Sequence, residues 1–401
     1  MSDGVWADVV GQQRAIDELR RAVAAAHGAS AAGFDTPNQR TSEPTAAMTH
    51  GWLLTGPPGS GRSVAGRAFA AALECPDGGC GTCNTCRTAL SGAHPDVTLC
   101  RTEQLSIGVE EVRELVRKSA MAPMSSPWQV LVIEDSDRLT DRAVNALLKS
   151  LEEPTPRTVW VLCAPNADDL PATIRSRARE VRLVTPPDEA VIEVLTRRDG
   201  VAPDVARVAA RAAQGHIGKA RALALDADAR EARDRAVSLP GQWTSLGACL
   251  TSAAEVVARA QEVASAQTAE LDAKEKAELD LALGFGTKGA KPRNVATAVN
   301  QLADEQKARA KRVQRDALDA VLTDLATWYR DVLTLQLGGD EAGLVNVNLT
   351  DRARSVAASG TPERTTANLD AILAVRRAID GNVPPLLAIE ALFIQLAGVA
   401  G

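Results

Sequence analysis

The stretch Trp52-Leu53-Leu54-Thr55-Gly56-Pro57-Pro58-Gly59-Ser60-Gly61-Arg62-Ser63 decides the fold. An apolar run feeds a glycine-rich turn, and a helical pattern from Ser63 to Leu73 follows at once. In that context the glycines let backbone N–H groups close around a phosphate at a helix N-terminus, and the Ser63 hydroxyl is placed to meet a magnesium ion. The expected nucleotide-binding residues are therefore Gly56, Pro57, Pro58, Gly59, Ser60, Gly61, Arg62 and Ser63. One position departs from the usual phosphate loop. Arg62 stands where a lysine would bridge the outer phosphates, and no lysine precedes Lys118. A planar guanidinium is a poor substitute for a compact ammonium at a point-charge position.

The second half of such a site is an apolar strand ending in acids, and Val130-Leu131-Val132-Ile133-Glu134-Asp135 supplies it. The order is inverted relative to the usual Asp-Glu, so Glu134 takes the metal-side position and Asp135 the base position, each off by one methylene. Positioning is most of phosphoryl-transfer catalysis. The expectation is weak ATP and magnesium binding, without hydrolysis, in a site that serves the fold at least as much as chemistry. Other apolar runs predict strands at 97–100, 159–163 and 181–184. Helical patterns between the runs fall at 12–26, 109–119 and 141–152, and this alternation predicts an α/β fold with a parallel sheet.

Seven cysteines is an odd number, and four of them, Cys75, Cys80, Cys83 and Cys86, crowd into one glycine-rich knuckle. Their spacing suits a closed tetrahedral zinc site with no open position for water, a structural zinc rather than a catalytic one. The formal net charge of −6 and the 3% aromatic content argue against a chain that grips DNA alone, zinc or no zinc. No apolar stretch approaches the length of a membrane helix and the N-terminus lacks a secretory pattern, so the expectation is a cytoplasmic protein without membrane contact.

Composition divides the 401 residues into three parts. Residues 1–185 form the α/β domain, with 28–49 read as a disordered loop and 75–86 as the zinc module. Residues 186–230 carry three short helical patterns, enough for a lid, and 231–401 are a helical domain broken at Gly284-Phe285-Gly286 and Gly338-Gly339. The basic run Lys307, Arg309, Lys311, Arg312 and Arg315 reads as a solvated helix face rather than a nucleic-acid stripe.

These motifs together resemble the AAA+ subunits of bacterial clamp loaders. The resemblance rests on Val9-Val10-Gly11-Gln12, the phosphate loop, the acid-ended strand, the helix Asn145 to Pro154 and the run Thr173-Ile174-Arg175-Ser176-Arg177. It is close from residue 5 to about 230 and architectural beyond. It implies a helical collar for 231–401, a hetero-pentamer with gamma or tau motor subunits and delta, and action on a sliding clamp and primed DNA through the assembled complex. It also implies that Arg177, following Ser176, is an arginine finger for a neighbour's ATP site; Ala178 replaces the family's cysteine. Arg62, the inverted acids and the absence of a lid arginine at Gly215-His216-Ile217-Gly218 point to a stator-like member. The alternative is an active motor ATPase.

Overall fold

The computed structural model describes residues 3–31, 47–102, 106–282, 295–381 and 383–398. It divides into two compact units, one reaching Leu225 and the other running from Asp226 onward.

In the first unit, α1 (Gln13–Ala31) precedes β1 (Gly51–Thr55), and α2 (Arg62–Glu74) leaves the phosphate loop. α3 (Asn84–Ser91), β2 (Val97–Cys100), α4 (Val109–Ser119), β3 (Gln129–Ile133), α5 (Asp141–Glu152) and β4 (Thr158–Ala164) follow. A one-turn α6 (Ala172–Arg175) leads into β5 (Arg179–Arg182). The five strands are parallel in the order β2-β3-β4-β1-β5. Alternate residues feed two cores. Trp52, Leu54, Val130, Val132, Val159 and Val161 pack with Leu19 of α1 and Phe69 of α2. Leu53, Leu131, Ile133, Trp160 and Leu162 pack with Leu115 of α4 and Leu147 of α5. Burial on both faces is what a parallel sheet with crossover helices requires, and it explains why the central strands read as unbroken apolar runs.

The lid helices α7 (Asp188–Arg197), α8 (Pro203–Ala213) and α9 (Ile217–Leu225) complete this unit. The third lid helix thus stops at Leu225, short of the residue 230 read as the lid's end, and the next helix belongs to the second unit. α1 runs to Ala31, so the segment read as a disordered loop begins as helix, because alanines 24–26 and 31–32 flank residues that carry the pattern on. Residues 32–46 of that reading lie outside the described residues. At its far end Met48 is buried and the Thr49 carbonyl accepts from the Trp52 indole at 2.9 Å. The last strand sits two residues earlier than its apolar run, since pairing with β1 selects Arg179–Arg182 and leaves Val181 alone of the four fully inward. Helix α3 carries no apolar periodicity the sequence reading caught; the Cys83 sulfur caps it by accepting from the Cys86 N–H.

Among the described residues the second unit is all helix: α10 (Ala227–Ser238), α11 (Leu246–Ala282), α12 (Val295–Gln336), α13 (Thr350–Ser359), α14 (Pro362–Asp380) and α15 (Pro385–Ala397). Its core gathers Trp243, Cys249, Leu318, Leu322, Leu325, Trp328, Ile372, Ile389 and Phe393. α12 ends just before Gly338-Gly339, whereas the Gly284-Phe285-Gly286 break lies outside the described residues. Arg309 corrects the reading of the basic run as a solvated face. It is 11% exposed and binds Asp272 at 2.7 Å and Glu275 at 2.6 Å, cross-linking α12 to α11. A half-buried ion pair of this kind helps to fix the register of two long helices.

Candidate nucleotide and metal sites

The carboxyl ends of β1 and β3 present the phosphate loop and the acid pair at one end of the sheet, where ligands of open α/β sheets are bound. Within the loop Gly59 has φ +83°, and a Cβ there would lie 2.5 Å from the His216 ring. Only glycine fits that approach. His216 therefore seats the lid on the loop. Burial holds its imidazole below the usual pKa, and Lys219 and Arg62 act in the same direction. Its Nδ1 accepts from the Lys219 backbone N–H at 3.1 Å, which leaves the proton on Nε2.

Arg62 donates to the Gly56 carbonyl at the other end of the same loop. The Ser60 hydroxyl is 1% exposed and has no hydrogen-bond partner among the described residues. Glu134 is 5% exposed, and both Nε and Nη2 of Arg67 on α2 reach its Oε1 at 2.5 Å. Arg67 carries no mark of a site residue in the sequence. Its only signal is a position five residues past Arg62, which puts it more than one turn along α2. Burial and the neighbouring Asp135 push the Asp137 carboxyl up, against Arg138 and Arg62.

Gln12, which the sequence marks only as part of the Val9-Val10-Gly11-Gln12 motif, ties three segments together. Its amide donates to the carbonyls of Ser60 at 3.1 Å and Val184 at 2.6 Å, and its Oε1 accepts from the Val184 N–H at 3.0 Å. It also lines a cleft of about 560 Å³ with Val10, Gly11, Ile16, Ala190 and Val194, a volume in the range of small-ligand sites.

Ser176 and Arg177 stand apart from this end. Arg177 is about one-third exposed and pairs with Glu152 at the end of α5 at 2.6 Å. It also donates to the Thr173 carbonyl at 2.7 Å and to the Ser176 hydroxyl at 3.1 Å. Its neighbours are engaged inside the domain: Arg175 pairs with Asp168, and Arg179 lies 5.6 Å over the Trp52 ring and donates to the Ala47 carbonyl at 2.9 Å.

The four knuckle cysteines converge as their spacing predicts. Their sulfurs all lie within 4.8 Å of one another, with Cys75 at 3.8 Å from Cys80 and from Cys83, and Cys80 at 4.0 Å from Cys86. A tetrahedron with Zn–S arms of about 2.3 Å has edges of about 3.8 Å, so the shorter sulfur separations match a zinc site and the longest must close by up to about an ångström. Backbone N–H groups of Cys80, Gly81, Cys83 and Cys86 donate to the sulfurs at 3.3–3.5 Å. Such donors stabilise thiolate charge around a metal. Hydrogen bonds from Thr82 and Cys83 bring the Cys80 thiol down to about 6. Gly79, with φ +106°, lets the knuckle lie against Val5, and its carbonyl accepts from the Val5 N–H at 3.0 Å. The N-terminal turn is thereby tied to the cage.

A parallel sheet of this strand order, a phosphate loop after β1, acids after β3, a helical lid and a four-cysteine knuckle define an AAA+ P-loop domain. Residues 38–187 match the family model described as DNA polymerase III, delta subunit. The DNA polymerase III subunit delta' of Escherichia coli is 35% identical over 213 residues, which are 50% of this chain and 64% of that protein. The delta' of Bacillus subtilis is 29% identical over 195 residues, 48% of this chain and 59% of that protein. Tau of Bacillus subtilis is 32% identical over 136 residues, 33% of this chain and 24% of tau. The chain thus spans about half to two-thirds of the length of the delta' relatives. Over these residues the chain is similar to the DNA polymerase III delta' proteins.

Proposed function

We propose that this chain is the stator-like delta-prime subunit of a replicative clamp loader, which completes a neighbouring motor's ATP site and turns over no ATP of its own. The observation that carries this reading is the pairing of Arg67 with Glu134. The acid that would face the metal is neutralised internally, and Arg62 in place of lysine removes the point charge that spans the outer phosphates. Transition-state stabilisation in phosphoryl transfer depends on both groups. Arg177, by contrast, is about one-third exposed and steadied by Glu152, which suits a cation offered across an interface. An arginine delivered in trans stabilises the charge that develops on the transferred phosphoryl group and makes hydrolysis depend on assembly.

In this reading the partners are gamma or tau motor subunits and delta in a hetero-pentamer, with the sliding clamp and primed DNA reached through the complex. The helical region beyond residue 226 is the oligomerising collar. Cys75, Cys80, Cys83 and Cys86 hold a structural zinc: the ion offsets half of the thiolate charge and ties the chain's N-terminal turn to the end of α2. The nucleotide cleft is Gly56 to Ser63 with Gln12 at its floor.

Phosphate release by the isolated chain tests this reading. It should stay at background, and replacing Arg62 by lysine together with Glu134→Asp and Asp135→Glu should raise it only modestly, since no lid arginine is restored. Turnover by the unmodified chain that Arg62→Ala abolishes would make the chain a motor.

A further inference from the structure

The metal that a phosphate loop ordinarily employs does not fit this one. A magnesium ion asks for an octahedral set of oxygens, drawn from a carboxylate, a hydroxyl, waters and the phosphates themselves. Here the metal-side carboxylate is 5% exposed and carries a guanidinium on Oε1 at 2.5 Å through two nitrogens. A guanidinium does not lose its proton and cannot become a ligand, so a dication approaching Glu134 meets a fixed positive charge. The features that hold phosphate oxygens remain. α2 is 13 residues long with Gly61 at its N-cap, in a left-handed conformation that leaves open space where a Cβ would stand. The Ser60 hydroxyl is buried in the loop without a partner among the described residues, and Arg62 donates to a carbonyl of the loop itself. The cleft along Gln12 adjoins the loop through the Ser60 carbonyl.

We infer that the phosphate loop binds a nucleoside diphosphate without a divalent metal, with Arg67 standing on Glu134 in the place of the ion. This rests on the reading of the chain as a non-hydrolysing subunit and adds the chemical form of the ligand. The loop N–H groups, the Ser60 hydroxyl and Arg62 supply the phosphate donors. Arg67 keeps Glu134 from repelling the phosphates. Nucleotide then acts as a structural ligand that fastens the lid through His216, and its residence is independent of the magnesium concentration.

The test is binding of a fluorescent ADP to the purified full chain, titrated once with excess magnesium and once with EDTA. The knuckle is kept loaded by omitting stronger zinc chelators, with zinc content measured in both arms. The two dissociation constants should agree within about threefold, and Arg62→Ala should weaken both by about tenfold. Arg67→Ala frees Glu134 and should create a magnesium dependence of about tenfold or more. A tenfold gain on adding magnesium to the unmodified chain would overturn the inference, and so would an absence of binding in both arms. The unmodified chain decides the matter by itself, so a variant that fails to fold leaves the answer intact. Because no hydrolysis and no partner enter the measurement, failure here leaves the stator reading standing, and failure of the stator reading shows up in phosphate release instead.

Discussion

Glu152, the last residue of α5, holds the guanidinium of Arg177 at 2.6 Å across the space between two separate motifs of the sequence. The helix that ends Leu-Glu-Glu-Pro and the Ser-Arg pair are thus one device. The first carries the carboxylate that aims the second. An exposed pair of this kind contributes little to stability, so its value lies in limiting where the arginine can go. Glu152→Gln should leave the fold and the assembly unchanged while slowing ATP hydrolysis in the complex by about threefold to tenfold, well short of what an arginine finger supplies. Steady-state phosphate release by the reconstituted complex checks this.

The cysteine cage predicts a measurable metal. The purified chain should contain one equivalent of zinc by elemental analysis. Cys83→Ser should lose it with a drop in affinity of more than about 100-fold, the upper range for disturbing only an outer-shell partner. Cys249→Ser, which removes a buried thiol in the helical unit, should keep the full equivalent. A metal-free preparation whose N-terminal turn stays protected from proteolysis would count against the cage.

Asp96 gives the first unit a pH signature. Its carboxylate is fully buried and accepts from the N–H of Met124 at 2.6 Å and of Ser125 at 2.8 Å, and from the Ser125 hydroxyl at 2.8 Å. Burial pushes its carboxyl up, but these hydrogen bonds and His94 outweigh it and leave it below the ordinary value of 3.8. A carboxyl held low in the folded state stabilises above its unfolded value and loses that contribution as the pH falls through the folded one. Asp96→Asn should therefore cost about 3 kcal/mol at neutral pH, and the gap to the unmodified chain should narrow below about pH 4. Urea unfolding at several pH values reads both.

How much of this was legible in the sequence follows from what each feature depends on. The central strands, α4 and α5 could be placed because burial on both faces makes continuous apolar runs and because helix periodicity is local. The knuckle could be read because four thiols at that spacing have few alternatives. Arg67 could not, since an arginine on an ordinary helix face gives no sign of the glutamate 67 residues later that it will meet. Arg309 misled for the same reason: among four other cations it looks like solvated charge, and only the antiparallel course of α11 brings Asp272 and Glu275 to it. The edge strand slipped by two residues because β1, and not its own composition, sets its register.

Arg177→Ala in a reconstituted loader tests the central claim most directly. The variant chain should fold, carry its zinc and join the complex, while clamp- and DNA-stimulated hydrolysis at the neighbouring motor site falls by about 1000-fold, the contribution typical of an arginine supplied in trans. Arg175→Ala and Arg179→Ala, which the proposed reading gives no role at the neighbour's site, should change that rate by less than about threefold. If the complex carrying Arg177→Ala hydrolysed ATP and loaded clamps at the unmodified rate, the trans-acting role would be contradicted and the chain would be a scaffold alone.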